Sequence, residues 1–518
     1  MRACSLLLVL LFLSGTASSS AASKVRATLD KKEQQLEQLW AEYWRTQYAA
    51  DSGEQKDASV QPVRAKINTV LLDEPFLRDL RAARSTDPTL RRRRELFLSD
   101  AVDARITGDA ELVKLVESIT KDESEMRYEV EGKKLARAEI NNILGHEARR
   151  EQREKAWRAQ QQITAMTGER IRQAMKMRLA LAAKSIPELF PDFMLKRKGL
   201  ERKKLLGWFE EIRRETQPEY DALLRRIKTE LKIDKVAPWD LEYFGSNPGN
   251  SDQVFQSSKA WAQTQAIASD LGFDFNRLPV TVKITDITFG GGTYPILFGK
   301  EIRILVNKYE GLRFTDTLLH ESGHALHYSF CHEASFLLCA DNPEPFDEGL
   351  GQVMALMLYR DDVLTRKFGL SAAAAREVQD AYRLKSLFDL RSTMADSAFE
   401  FAAYENPDQD LAKLYAAMQS KYIGIEVDDG TNWAYDPFYS SGPIYLQSYL
   451  VAEMVGRQIH AAMHRRFGSK WDAKTGAYLR TNFFSRGGLD SVDEIMRRGT
   501  GEALTPRYLI QALRAKPH

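Results

Sequence analysis

Between Lys24 and Glu230 the sequence is written almost entirely in one pattern, that of the amphipathic helix. The stretch "KKEQQLEQLWAEYWRTQYAAD" sets the style, with Leu36, Leu39, Tyr43 and Trp44 at helical spacing. Glu, Lys, Arg, Ala and Leu dominate, and few Gly or Pro residues interrupt. A chain that opens this way must bury helix against helix, which excludes sandwiches, barrels and doubly wound sheets for its first half. A turn-forming cluster, "YFGSNPGNSDQ", follows. Only "VTVKITDITFGGGTYPILFGKEIRILVN" (Val280 to Asn307) then alternates β-branched with polar residues, and three glycines mark a turn or bulge. Helical patterning resumes to the end, with no internal repeat. The expected fold is mainly α: one large helical domain over 23–518 with a small sheet. The pattern divides that domain into an N-terminal helical half, about 24–230, and a second half, about 231–518.

Just after the β stretch comes "TLLHESGHALHYSF", with Thr315 and Asp316 as helix-start residues. On a helix His320 and His324 lie one turn apart on the same face. Two imidazoles so placed can bind one zinc ion at about 2.0–2.1 Å. Glu321 is placed to meet a water on that metal. Zinc lowers the water's pKa towards about 7, and a carboxylate can then accept its proton as it attacks a carbonyl. A catalytic zinc takes three protein ligands and keeps one position open. Downstream, "DNPEPFDEGLGQVMALML" turns from a Pro-rich bend into a helix. Glu348 near its start is the expected third ligand, with Glu344 and Asp347 as nearby alternatives. Asp316 and Gln352 are candidates to support the ligands from behind.

Charge excludes other classes. The 518-residue chain carries 74 basic and 72 acidic residues, so no net field draws it to nucleic acid or an anionic membrane. Runs such as "LRRRREL" read as solvated helix faces. The first residues, "MRACSLLLVLLFLSGTASSSAAS", have the form of an export signal: Arg2, an apolar run from Leu6 to Leu13 too short for a bilayer, then small residues. Cleavage after Ala22 fits that pattern, as does cleavage after Ala17. The expectation is an exported protein, periplasmic or secreted, with no membrane anchor. Cys331 and Cys339 remain as an isolated pair, either a disulfide or two buried thiols.

Taken together, "PWDLEYF", "GTYPILFGKEIRILVN", "HESGHALH", "DEGLGQ" and "DPFYSSGPIYLQSYLVAEM" resemble the gluzincin zinc peptidases. Within them the chain is similar to the angiotensin-converting enzyme, thimet oligopeptidase and oligoendopeptidase F group. The resemblance implies a helical, clam-like molecule with a deep channel that admits short peptides and excludes folded proteins. It also implies that the glycine-bearing strand aligns substrate by strand addition, so Gly291, Gly292, Thr293 and Tyr294 are candidate substrate-binding residues. Family members carry a histidine ten residues before an oxyanion-stabilising tyrosine. Aligning that tyrosine with Tyr449 puts Tyr439 where the histidine belongs, leaving Tyr449, Tyr439 and Tyr445 as candidate hydroxyl donors. With no lysine between Lys421 and Lys470 to hold a terminal carboxylate, an oligoendopeptidase is favoured over a peptidyl-dipeptidase like the converting enzyme. The rival reading is a zinc-scaffold binding protein with little catalysis.

Overall fold

The computed structural model describes residues 4–55, 57–246, 254–333, 335–427 and 429–515, with side chains from residue 23 onward. The export segment expected over 1–22 therefore lies outside the described side chains. A long N-terminal helix (Cys4–Asp51) opens the chain, and helices follow in succession to Leu231. The first departure from expectation is a two-stranded antiparallel hairpin, Tyr128–Val130 with Lys133–Leu135. Glu131 and Gly132 turn it, both at positive φ, the backbone that a two-residue hairpin turn demands. Three-residue strands are too short to show a period of two, which is why the pattern hid them.

The arginine run also departs from expectation. Arg93 is buried, donating to Glu33 Oε1 at 2.8 Å and to Asp30 Oδ1. Arg92 reaches the Gly488 carbonyl at 2.6 Å. Arg93 thus ties two helices together and Arg92 ties its helix to the Gly488 turn, while Arg91 keeps the expected exposure. One face of the N-terminal helices builds a small core in which Leu29, Leu36, Ile67 and Phe97 meet Leu337 and Leu338. The largest apolar core runs from Ile106 to Leu513 and so joins the later N-terminal helices to the C-terminal half.

Val280–Asn307 forms three strands in the order first, third, second: Val280–Thr285 lies parallel to Glu301–Asn307, which pairs antiparallel with Gly291–Leu297. The glycine-bearing strand is thus an edge. Its alternation divides two environments, as a period of two requires. Tyr294 and Ile296 face the N-terminal helix, packing with Ala41 and Tyr48, while Gly291 and Thr293 face the histidine helix (Leu312–Phe330). On the central strand Ile302, Ile304 and Val306 enter the main core. The sheet therefore holds the histidine helix on one side and the N-terminal helix on the other.

Candidate metal centre

Three helices meet at the site: the histidine helix, a carboxylate helix (Glu344–Ala355) and a tyrosine helix (Gln447–Phe467). Glycines let them approach. A Cβ on Gly323 would lie 2.7 Å from Gly351 Cα, and one on Gly349 would lie 2.5 Å from Val455 Cγ1. A Cβ on Gly351 would lie 2.7 Å from the His320 ring. The glycines inside "HESGH" and "EGLG" are therefore contact points that seat the carboxylate helix between its neighbours.

That packing brings His320, His324 and Glu348 together, their ligand atoms all within 4.8 Å of one another. His320 Nε2 stands 3.1 Å from His324 Nε2 and 3.3 Å from Glu348 Oε2. Tetrahedral ligands about 2.0–2.1 Å from one ion are about 3.3 Å apart, so the donor set fits zinc. Electrostatics point the same way. Burial opposes a proton on His324, but the Asp347 carboxylate overrides it and raises the ring to about 10. His320 is raised in the same way by its bond to Glu348. Burial would push Asp347 up, yet the His324 ring holds it at about 2. The pocket is built to surround positive charge.

Asp347, one of the alternative ligands, faces the other way. Its Oδ1 lies 3.2 Å from His324 Nδ1 and its Oδ2 accepts from Tyr328 Oη at 2.6 Å. The carboxylate thus holds the outer nitrogen and leaves Nε2 free for a metal, the arrangement that orients metal-bound histidines. Glu344, the other alternative, is engaged by Lys198 Nζ at 2.6 Å and by Ser448 Oγ. Gln352 donates to Glu453 and Tyr382 at 2.6 and 2.8 Å. Burial lifts Asp316 to about 6.

Glu321 is buried, and Thr293 Oγ1 donates to its Oε2 at 2.8 Å and contacts its carbonyl at 3.0 Å. Gly291 leaves room for this side chain, since a Cβ there would meet Glu321 Cγ at 3.3 Å. Of the four strand residues expected to bind substrate, Tyr294 departs. Its ring packs edge-on against Tyr48 and its hydroxyl donates to Asp51 Oδ2 at 2.8 Å. The period of two turns this side chain onto the N-terminal helix. Gly292 lies near Phe289 and Tyr294.

The tyrosine stretch is a short helix, Phe438–Ser441, followed by a turn and the tyrosine helix. Gly442 and Pro443 break it. Tyr445, on that turn, donates to Glu348 Oε1 at 2.7 Å. Tyr449, 41% exposed, meets the Tyr445 ring edge-on at 5.4 Å. Tyr439 is not with them. It is fully buried against Phe399, so its phenol faces the protein interior and cannot replace a channel histidine. Ile444, between Pro443 and Tyr445, has φ +59°, a conformation that costs a β-branched residue about 1–3 kcal/mol.

One feature was not visible in the sequence. Lys198 comes from the N-terminal half to lie 4.9 Å above the Tyr445 ring, so a lysine does stand beside the tyrosines although none is near in the chain. Its pairing with Glu344 occupies it. Of the two states the sequence allowed for the cysteines, the structure has the disulfide, Cα–Cα 5.9 Å at a sequence separation of 8. The bridged loop contributes Leu337 and Leu338 to the N-terminal core, so the bond ties that core to the end of the histidine helix.

Residues 310–515 match the model of peptidase family M3, a span that includes both ligand helices and the tyrosine turn but less than half the chain. No curated protein matches the chain by sequence. Among solved structures it is similar to an M32 carboxypeptidase from Deinococcus radiodurans R1, at 15% identity and TM-score 0.66, covering 95% of this chain and 98% of that one. It is likewise similar to Trypanosoma cruzi metallocarboxypeptidase 1, at 15% identity and TM-score 0.64, covering 94% and 100%. A carboxypeptidase from Pyrococcus furiosus matches at 14% identity and TM-score 0.65, covering 95% and 98%. At these identities the likeness is one of fold, and it includes the N-terminal helices. It points to M32 folds and an M3 match, not to the converting enzyme or the oligopeptidases in particular. The chain thus has a large, mainly helical fold shared with these solved carboxypeptidases, with its match to peptidase family M3 confined to the half that carries the ligands.

Proposed function

We propose that this protein is a zinc peptidase acting on short, unstructured peptides. The observation that carries the reading is the pairing of a three-ligand cluster, still partly open to solvent at His320 and Glu348, with a carboxylate held beside it by Thr293. His320, His324 and Glu348 would hold a zinc ion, which would supply Lewis acidity and bring a water's pKa to about 7. Glu321 accepts the proton of the attacking water on its carboxylate and passes it to the leaving amine nitrogen. Thr293 fixes the rotation of that carboxylate. Tyr449 directs its hydroxyl towards the developing oxyanion, such a donor being worth about 10²–10³ in rate, while the Tyr445 hydroxyl is committed to Glu348. The edge strand through Gly291 and Thr293 offers backbone pairing to an extended peptide. The N-terminal helices form the lid that limits substrate size. Export accords with the disulfide, which persists in oxidising compartments. Among the described residues no helix is long and apolar enough to cross a membrane.

Cleavage mode has two readings. Lys198 is engaged by Glu344, which favours internal cleavage without a terminal carboxylate. The fold shared over nearly the whole chain with carboxypeptidases favours removal of C-terminal residues.

The test is cleavage of quenched fluorescent peptides, with free or amidated C-termini, by zinc-loaded wild type and Glu321→Gln. Chelator-sensitive cleavage lost in the Gln variant supports the reading. Indifference to amidation supports the internal mode. No cleavage of a broad peptide library despite stoichiometric zinc would establish the binding-scaffold alternative instead.

A further inference from the structure

The turn that carries Tyr445 is braced from the long helix Ala372–Glu405, and we propose that Glu400 is a positioning residue for the metal site. By accepting the Ile444 N–H it holds a strained turn and thereby aims Tyr445 Oη at the ligand Glu348. The proposal rests on the metal-site reading above and extends it to a residue outside the motifs.

Ile444 is fully buried at positive φ, and such a conformation persists only where the surroundings over-determine it. Here they do. Glu400 Oε1 accepts the Ile444 N–H at 3.0 Å, and Gln447 Nε2 donates to the Ile444 carbonyl at 2.6 Å. Arg178, also buried, donates to the carbonyls of Tyr439 and Ser440 just upstream. One residue beyond Ile444, Tyr445 Oη reaches Glu348 Oε1 at 2.7 Å, and the other oxygen of Glu348 stands 3.3 Å from His320 Nε2. The path is continuous: acid, backbone N–H, phenol, ligand carboxylate. A relaxed Ile444 would swing the phenol and free Glu348 to rotate. Burial raises Glu400 to about 8, so at neutral pH it is largely the uncharged acid, and its carbonyl oxygen still accepts the N–H. A glutamine retains that acceptor, and a methionine of similar shape removes it.

The experiment measures zinc affinity by competition with a chromophoric chelator, together with thermal unfolding, for wild type, Glu400→Gln, Glu400→Met, Tyr445→Phe and the Glu400→Met/Tyr445→Phe double variant. Loss of a group that orients a ligand costs about 10–100-fold in metal affinity. Glu400→Met and Tyr445→Phe should each weaken zinc by about tenfold, within that range. Glu400→Gln should match wild type. The double variant should be no weaker than Tyr445→Phe alone, because both changes sever the same path. Unchanged zinc affinity in a folded Glu400→Met, or losses that multiply in the double variant, would overturn the proposal and leave Glu400 with a purely structural role. Should Glu400→Met not fold, it is combined with Ile444→Gly, which adopts the positive φ without strain; that pair should fold and bind zinc like wild type, and a folded pair that still loses zinc affinity about tenfold would overturn the proposal. A wild type that binds no zinc refutes the metal-site reading itself, a distinct result.

Discussion

Replacing Gly351 by alanine places a methyl group where the His320 ring already stands. The new Cβ would lie 2.7 Å from Cε1 and 2.9 Å from each ring nitrogen, whereas non-bonded carbons settle at about 3.5–4.0 Å. Either the ring moves by about 0.8 Å or the two helices part by a similar amount. Ligand distances in metal sites hold to within about 0.2 Å, so the displacement is several times what coordination tolerates. A loss near the upper end of the 10–100-fold range for disturbed ligand geometry is expected, about 2–3 kcal/mol. Overpacking adds a stability loss of about 1–3 kcal/mol. Zinc affinity from chelator competition, read beside circular dichroism and a thermal melt, measures both. Gly207→Ala serves as the control, since a Cβ there meets nothing within 4 Å and alanine is the better helix former by about 1 kcal/mol. A folded Gly351→Ala that binds zinc like wild type would refute the close packing of the carboxylate helix on His320.

Asp347→Asn removes the carboxylate behind His324 while preserving shape; zinc affinity should fall about 10–100-fold with the fold intact, and unchanged affinity would show that Asp347 does not orient the ring. Burial raises Asp396 from 3.8 to about 8, so the stability gained by burying it uncharged is fully present below its unfolded value and is lost as pH rises through about 8. Denaturant midpoints should therefore fall between about pH 5 and pH 9, and Asp396→Asn should flatten that slope; an unaltered slope would assign the dependence elsewhere. Reducing the Cys331–Cys339 bond, or replacing both cysteines with serine, should cost about 2.5 kcal/mol for so short a loop, read as a lower denaturant midpoint.

The helical class was legible because amphipathic spacing persists over whole helices, and the two histidines because a spacing of four puts them on one helix face; Glu348 was one of three acids near the start of the next helix. Glu348 and its neighbour Asp347 are successive residues on one helix, about 100° apart around its axis. That offset is what sends one carboxylate to the metal position and the other to the back of His324. Long-range pairings were not legible. Nothing near Glu321 in sequence announces Thr293 as its partner, and Lys198 reaches Tyr445 only because two halves of the chain share a core. Tyr439 misled because alignment by spacing assumes an unbroken helix. Gly442 and Pro443 break it, so ten residues no longer bring two side chains to one face. The arginine run misled for a related reason. Charge patterning predicts solvation, and only the fold reveals that Glu33 and Asp30 wait opposite Arg93.

The central claim is that one ion sits between two imidazoles and the Glu348 carboxylate. Anomalous diffraction at the zinc edge, from crystals of the zinc-loaded protein, tests it directly. The account predicts a single strong peak about 2.0–2.1 Å from His320 Nε2, His324 Nε2 and a Glu348 oxygen. A peak elsewhere, or a Glu348 carboxylate turned away from the ion, would contradict it.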